Sequence, residues 1–210
     1  MLGITETIAF EGPVCAGKTT LIKNLVCFGY QMVPEYVDFA QENNLKLPKF
    51  PPKNVTEAKS AFEFYLDLES RRQYGVKPGK WLLDRSKYTL LAFEAGARQL
   101  TQIDIFDWAR NQVKEHQSEI IDPCTILYID IDSRESRRRA TLSHMGTPDF
   151  LFSTQFTNGF KEAFMLFSSL NPNRFTFIDG SRPYLEVLAE VSRRIRFNAG
   201  ISPIPASIFR

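Results

Sequence analysis

Cysteine is scarce in this chain. The three present among 210 residues, Cys15, Cys27 and Cys124, form no CxxC pair. A disulfide framework and a zinc ribbon are therefore excluded as organising principles, and a reducing compartment is expected. Histidine is scarcer still: His116 and His144 have no partner pattern that suggests a metal site or a catalytic triad. No apolar run approaches the roughly 20 residues a membrane helix needs. Met1 to Glu6 offers no basic segment leading into an apolar one, so no secretory signal is expected. These absences predict a soluble, cytoplasmic protein with no membrane partner. Charge of one sign is missing too, with 26 Lys+Arg against 24 Asp+Glu and a net +2. A nucleic-acid binder usually carries a strongly basic domain, so no nucleic-acid partner is expected. A local anion site remains compatible with that balance.

Hydrophobic residues make up 43% of the chain, enough for one large core. Together with the length, this predicts a single domain over 1–210. There is no internal repeat and no low-complexity tract. Ile4 to Phe10 reads as a strand, followed by a Gly-containing turn and a helix from Lys18 to Val26. Tyr30 to Val33 reads as a second short strand, and the Pro-rich stretch 43–54 as a loop. Asn54, with Glu57 three residues on, marks the start of a helix running to about Tyr74. After a break at Pro78-Gly79, Trp81 to Leu83 is an apolar run ending in Asp84. Thr89 to Leu100 and Ile103 to Ile121 read as helices, the second opened by Thr101. Thr125 to Ile131 is a strand and Ser133 to Ser143 a very basic helical segment. Phe150 to Leu170 is helical, Arg174 to Ile178 a strand, and Pro183 to Ile195 a helix. The tail 198–210 is interrupted by prolines. Strands alternating with helices predict an α/β fold: a five-stranded parallel sheet with helices on both faces.

Gly12-Pro13-Val14-Cys15-Ala16-Gly17-Lys18-Thr19 matches GxxxxGK[ST] without a gap. In such a loop, glycines let successive N–H groups converge on phosphate oxygens, and the following helix points its positive end at them. Gly12, Pro13, Val14, Cys15, Ala16, Gly17, Lys18, Thr19 and Thr20 are thus the candidate nucleotide-binding residues. Lys18 would reach the β- and γ-phosphates, and the Thr19 hydroxyl would ligate Mg²⁺. Cys15 contributes its backbone. No Asp is followed by Gly three positions later, and there is no NKxD, so a switch GTPase is excluded. A motor or transporter ATPase would need more chain.

Phe10-Glu11-Gly12 through Lys18-Thr19-Thr20, with Ile178-Asp179-Gly180-Ser181-Arg182-Pro183, resembles the thymidylate kinases. Val33-Pro34-Glu35 and Leu83-Asp84-Arg85-Ser86 resemble the deoxynucleoside kinases. These landmarks, in order, span nearly the whole chain, which is similar to the superfamily of P-loop nucleoside and nucleotide kinases. The resemblance implies a three-layer kinase fold with a mobile lid at about 133–155. It also implies ATP- and Mg²⁺-dependent phosphoryl transfer to a nucleoside or a nucleoside monophosphate, and a homodimer. A kinase of another small molecule on the same scaffold, or an ATP-binding regulator with weak ATPase activity, is the alternative.

On that resemblance Glu35 matches the base that accepts the acceptor's proton; the alternative is a solvated acid or a helix cap. Tyr36 replaces the family proline beside it and is expected to alter the pocket wall. Asp84 would hold Mg²⁺ with Thr19, and Arg85 would meet an acceptor phosphate or the transferring group. A surface Asp84–Arg85 ion pair is the alternative. Arg71-Arg72 would supply a substrate-contacting arginine, with Arg71 preferred. Phe39, with Phe62 and Tyr65, could stack on a base or simply belong to the core. In the cluster Arg134, Arg137, Arg138 and Arg139, Arg139 matches the first lid arginine. The second position is Ser143, which implies either a weaker lid or substitution by Arg137 or Arg138; a solvated basic face is the alternative. Gly180 and Arg182 would cradle the adenine.

Overall fold

The computed structural model describes residues 6–26, 29–77, 79–143 and 146–199. Expectations at Ile4, Cys27, Pro78, His144 and the tail from 200 onward lie outside them. Five strands form one all-parallel sheet in the order β2-β3-β1-β4-β5. They are β1 (Glu6–Glu11), β2 (Gln31–Val33), β3 (Lys80–Asp84), β4 (Thr125–Asp130) and β5 (Phe175–Asp179). Register is continuous across the centre, with Ala9 opposite Leu83 on one side and Ile126 on the other. Central parallel strands are covered on both faces, which is why TIAF, WLL and TILYI read as nearly unbroken apolar runs.

Side chains alternate between those faces. Ala9, Leu83, Ile126 and Tyr128 point into the larger core. That core is closed by α2 (Tyr36–Glu42), α3 (Val55–Gln73), α4 (Lys87–Thr101), α5 (Phe106–Glu115) and α7 (Thr154–Leu170). Ile8, Phe10, Leu82, Leu127 and Ile129 point the other way, onto α1 (Lys18–Val26) and α8 (Tyr184–Ala199). α6 (Ser133–Leu142) and a single 3₁₀ turn at Asp149–Phe152 complete the order.

Local chemistry explains the boundaries. The Asn54 side chain accepts from the Glu57 N–H at 2.9 Å, and Asp132 accepts from Glu135 at 2.7 Å. Both are helix N-caps. Thr101 ends α4 rather than opening α5. Gln102 follows in the left-handed region (φ 60°), and Asp104 caps the Phe106 N–H, so α5 is shorter than the expected 103–121. Pro148 and Ser153 split the expected 150–170 helix into the 3₁₀ turn and α7. α8 runs to Ala199, past the expected helix end at Ile195. α4 and α7 touch backbone to backbone. A Cβ on Gly96 would lie 2.8 Å from the Phe156 carbonyl, and one on Gly159 2.7 Å from the Ala95 carbonyl.

Candidate functional site

All five strands end at the same edge of the sheet, and there the candidate residues gather. Open parallel sheets bind ligands at the carboxyl ends of their strands. β1 delivers the loop 12–17. Gly12 (φ 129°), Cys15 (φ 58°) and Gly17 (φ 91°) are all left-handed, so the chain turns tightly before α1 begins at Lys18. Gly12 lies against β4; a Cβ there would come within 2.3 Å of the Ile129 carbonyl. Lys18 is buried and donates to the Pro13 carbonyl at 2.8 Å, folding its ammonium back over the loop. Burial and nearby Arg85 pull its pKa down to about 8. Thr20 is exposed, Val14 and Cys15 are partly buried, and burial pushes the Cys15 thiol up.

β3 delivers Asp84 and Arg85. The Thr19 hydroxyl donates to Asp84 Oδ2 at 2.5 Å. Asp84 is buried, and its Oδ1 has no hydrogen-bond partner. Burial raises its pKa, with the Glu35 charge adding to the effect. An orphaned carboxylate oxygen beside a hydroxyl is the donor chemistry a hard cation takes, with the remaining positions left to phosphate and water. Thr19 and Asp84 therefore fit Mg²⁺. Among the described residues no cluster of three or more His, Cys, Asp or Glu competes for a metal.

Arg85 sits at φ 71°, a conformation costing a non-glycine residue roughly 1–2 kcal/mol. The surroundings hold it there. Its N–H donates to the Phe10 carbonyl, and its own carbonyl accepts from Arg72 Nη2 at 2.5 Å. The turn sends its guanidinium back under the loop, where Nη1 donates to the Gly12 carbonyl at 3.1 Å and Nε to Glu35 Oε1. Glu35 follows β2 and is the N-cap residue of α2, but its side chain makes no cap bond. Burial disfavours its charge; Arg85 and Lys18 outweigh this and hold the carboxyl below the ordinary value.

Beneath this pair lies a buried layer that sequence reasoning missed. Glu11, at the end of β1, is wholly buried. It accepts from the Ser86 N–H (2.9 Å), the Ser86 hydroxyl (2.6 Å) and the Thr89 hydroxyl. Burial pushes its pKa up to about 7. Arg72, not Arg71, faces inward. It binds Glu69 and the carbonyls of Pro34, Asp84 and Arg85, and its guanidinium lies 4.1 Å from the Tyr36 ring centroid. The preferred Arg71 is exposed and paired with Asp67 at 2.8 Å, away from the site. A signal was present: Asp67 and Arg71 are spaced i,i+4, while Phe62, Leu66, Glu69 and Gln73 lie on the buried stripe.

α6 docks onto the phosphate loop. The Ser136 hydroxyl donates to the Val14 carbonyl at 2.6 Å. Arg139 bridges the Ala16 carbonyl (3.4 Å) and the Gly180 carbonyl (2.8 Å) while Glu135 grips its Nε. Of the other cluster members, Arg134 is exposed, Arg138 pairs with Glu135, and Arg137 pairs with Asp149 and covers Phe152. Gly180 follows β5 packed against Ile129 and Ile131. Arg182 turns to Glu190.

A cavity of about 600 Å³ opens from this cluster toward α4 and α7. Pro13, Val14, Glu35 and Arg85 form one end of its wall, and Phe50, Phe93, Phe150 and Phe156 make an aromatic box. Phe50 stacks on Phe150 at 4.0 Å between centroids. Tyr36, Phe62 and Tyr65 line it as well. Phe39 does not; it packs against the larger core.

No protein-family model matches the chain. It is 25% identical over 206 residues to a thymidylate kinase of Limosilactobacillus reuteri (strain DSM 20016), covering 90% of this chain and 94% of that protein. A thymidylate kinase of Geobacillus sp. (strain WCH70) is 28% identical over 203 residues, covering 86% and 91%. Among solved structures, deoxyadenosine kinase from M. mycoides with bound dATP superposes with a TM-score of 0.67 at 13% identity, over 90% of this chain and 99% of that one. The same enzyme with dCMP and a flexible dCDP bound gives 0.66 at 15%, over 91% and 99%. The loop, the sheet and the ordered landmarks agree with these likenesses, and the chain is similar in sequence to thymidylate kinases and shares the fold of deoxyadenosine kinase.

Proposed function

We propose that this kinase transfers the γ-phosphoryl group of ATP, with Mg²⁺, to the hydroxyl of a nucleoside bound in the 600 Å³ cavity. The observation that carries this choice is the kind of charge at the cavity mouth. Glu35 stands there with one oxygen on Arg85, and among the described residues no hydrogen bond reaches the other. A neutral hydroxyl needs a base at that position; a monophosphate, already anionic, needs cations instead. Arg72 cannot provide one, because its guanidinium is consumed by Glu69 and three carbonyls. Arg71 points away.

Each residue then has a task. The loop 12–17 and the start of α1 hold the phosphates, and Lys18 lies beside the phosphoryl being transferred. Mg²⁺ held by Thr19 and Asp84 would neutralise phosphate oxygens. Glu35 orients the acceptor hydroxyl and takes its proton. Arg85 fixes Glu35 and offers positive charge to the moving group. Arg139 ties α6 to both the loop and the Gly180 turn, so the segment 133–155 is the lid of this proposal and Gly180 and Arg182 its adenine-side border. A monophosphate acceptor is the second reading. It is favoured by the sequence likeness to thymidylate kinases and by Lys49 on the cavity wall.

A panel of nucleosides and monophosphates with ATP and Mg²⁺, followed by ADP release, separates the two. Nucleoside-stimulated turnover is expected. Glu35→Gln should lower kcat by about 10²-fold or more while ATP binding is retained. Turnover with monophosphates only, unaffected by Glu35→Gln, would overturn the nucleoside assignment.

A further inference from the structure

Glu94 is an acid in an aromatic box. It lies on α4, on the stripe Thr89, Leu90, Phe93, Glu94, Ala97 that faces the cavity. Phe93 packs edge-on to Phe50, Phe150 and Phe156 around it. Among the described residues no hydrogen bond or ion pair reaches its carboxyl. The other titratable groups on the cavity wall are Glu35, Tyr36, Asp38, Lys49, Tyr65 and Arg85. None offsets its burial, which alone pushes its pKa up to about 7. Counting from Lys87, Glu94 lies about 10 Å along the helix axis, toward the end of the cavity away from the phosphate loop.

A polar group in apolar surroundings is costly until something pairs with it. The proposed acceptor supplies that partner, and in this respect the inference rests on the functional reading above. We infer that Glu94 reads the acceptor's base: as a neutral acid it gives one O–H and takes one N–H from adjacent acceptor and donor atoms on the edge of a planar heterocycle held in the phenylalanine box. A neutral carboxyl has one donor and one free carbonyl acceptor, so two parallel hydrogen bonds satisfy it fully. The ionised form has no donor. It would face the heterocycle's acceptor atom with an oxygen and leave that atom unpaired.

Three consequences can be read in one experiment. The wild type, Glu94→Gln and Glu94→Leu are compared by acceptor KM and kcat between pH 6 and pH 8, and by calorimetric nucleoside binding without ATP. Wild-type KM should rise about tenfold from pH 6 to pH 8 as Glu94 ionises, with kcat little changed. Glu94→Gln keeps one donor and one acceptor, so it should bind the acceptor at both pH values and lose the pH dependence. Glu94→Leu should raise KM at least tenfold at pH 6. It should nevertheless melt no lower than wild type at pH 8, because it removes a buried charge. Wild-type turnover with KM unchanged in Glu94→Leu, or a pH dependence of KM that persists in Glu94→Gln, would overturn this inference and leave the kinase reading standing. Nucleoside binding that depends on Glu94, without acceptor-stimulated turnover, would sustain the inference and overturn the kinase reading. Absence of nucleoside binding by the wild type would overturn both.

Discussion

Glu11 makes stability depend on pH in a direction opposite to that of an ordinary paired carboxylate. Its carboxyl is fully buried and its pKa stands near 7, against 4.5 as the ordinary value. Between those values the folded chain holds a proton that the unfolded chain has released, so stability falls as pH rises through the window. A shift of this size corresponds to about 3 kcal/mol, most of it between pH 5 and pH 8. Glu11→Gln removes the titration but preserves the shape, and its amide can still accept from Ser86 and donate to the Thr89 oxygen. Urea unfolding at pH 5, 6, 7 and 8 gives the test. The difference in stability between variant and wild type should move by about 2–3 kcal/mol in favour of the variant over that range. For a chain of this size that is roughly 5–10 °C in Tm. Lys18, with its pKa near 8, begins to titrate only at the top of the window and does so in both proteins, so the difference between them reports chiefly on Glu11. Parallel pH profiles for the two proteins would refute the argument, and with it the idea that Glu11 is buried as an acid under the Ser86 turn.

Arg72→Met should destabilise the fold by about 3–5 kcal/mol, because it leaves Glu69 buried and unpaired. Arg71→Met, on the exposed face of the same helix, should change stability by less than about 0.5 kcal/mol in the same denaturation assay. Gly12→Ala places a methyl against the Ile129 carbonyl at a left-handed position. Loss of the thermal shift produced by ATP and Mg²⁺ is the expected outcome. Gly159→Val drives side-chain atoms into the Ala95 carbonyl where α4 and α7 cross. It should lower Tm and raise acceptor KM together, since Phe156 and Phe160 of α7 form the cavity wall.

The sheet and the phosphate loop were legible because their signals are local. Apolar runs ending in Glu or Asp marked β1, β3 and β4, and GxxxxGKT is contiguous. α2 was not legible. It spans seven residues, its only buried side chains are Tyr36 and Ala40, and Glu35 supplies no cap bond to announce it. Adjacent arginines posed a different problem. Arg71 and Arg72 differ only in which side of one helix turn they occupy, and the choice is settled by a carboxylate three or four residues earlier. Glu11 and Ser136 were missed for a third reason. Each binds a partner 75 or more residues away, Glu11 with Ser86 and Ser136 with Val14, and no periodicity within a segment encodes such a contact. Glu94 drew no attention in the sequence because the aromatic residues that share its cavity, Phe50, Phe150 and Phe156, lie far from it along the chain. Its surroundings are assembled from the 47–52 loop, α3, the 3₁₀ turn and α7, which only the fold brings together.

The central claim is that the phosphate loop serves phosphoryl transfer to an acceptor in the adjacent cavity. The most direct measurement follows the label from γ-labelled ATP in the presence of Mg²⁺ and a mixture of nucleosides and monophosphates, for the wild type and Lys18→Ala. The account predicts label on a nucleoside with the wild type, and none with a Lys18→Ala protein that remains folded by circular dichroism. Undiminished transfer by Lys18→Ala, or a folded wild type that labels no acceptor, would contradict it.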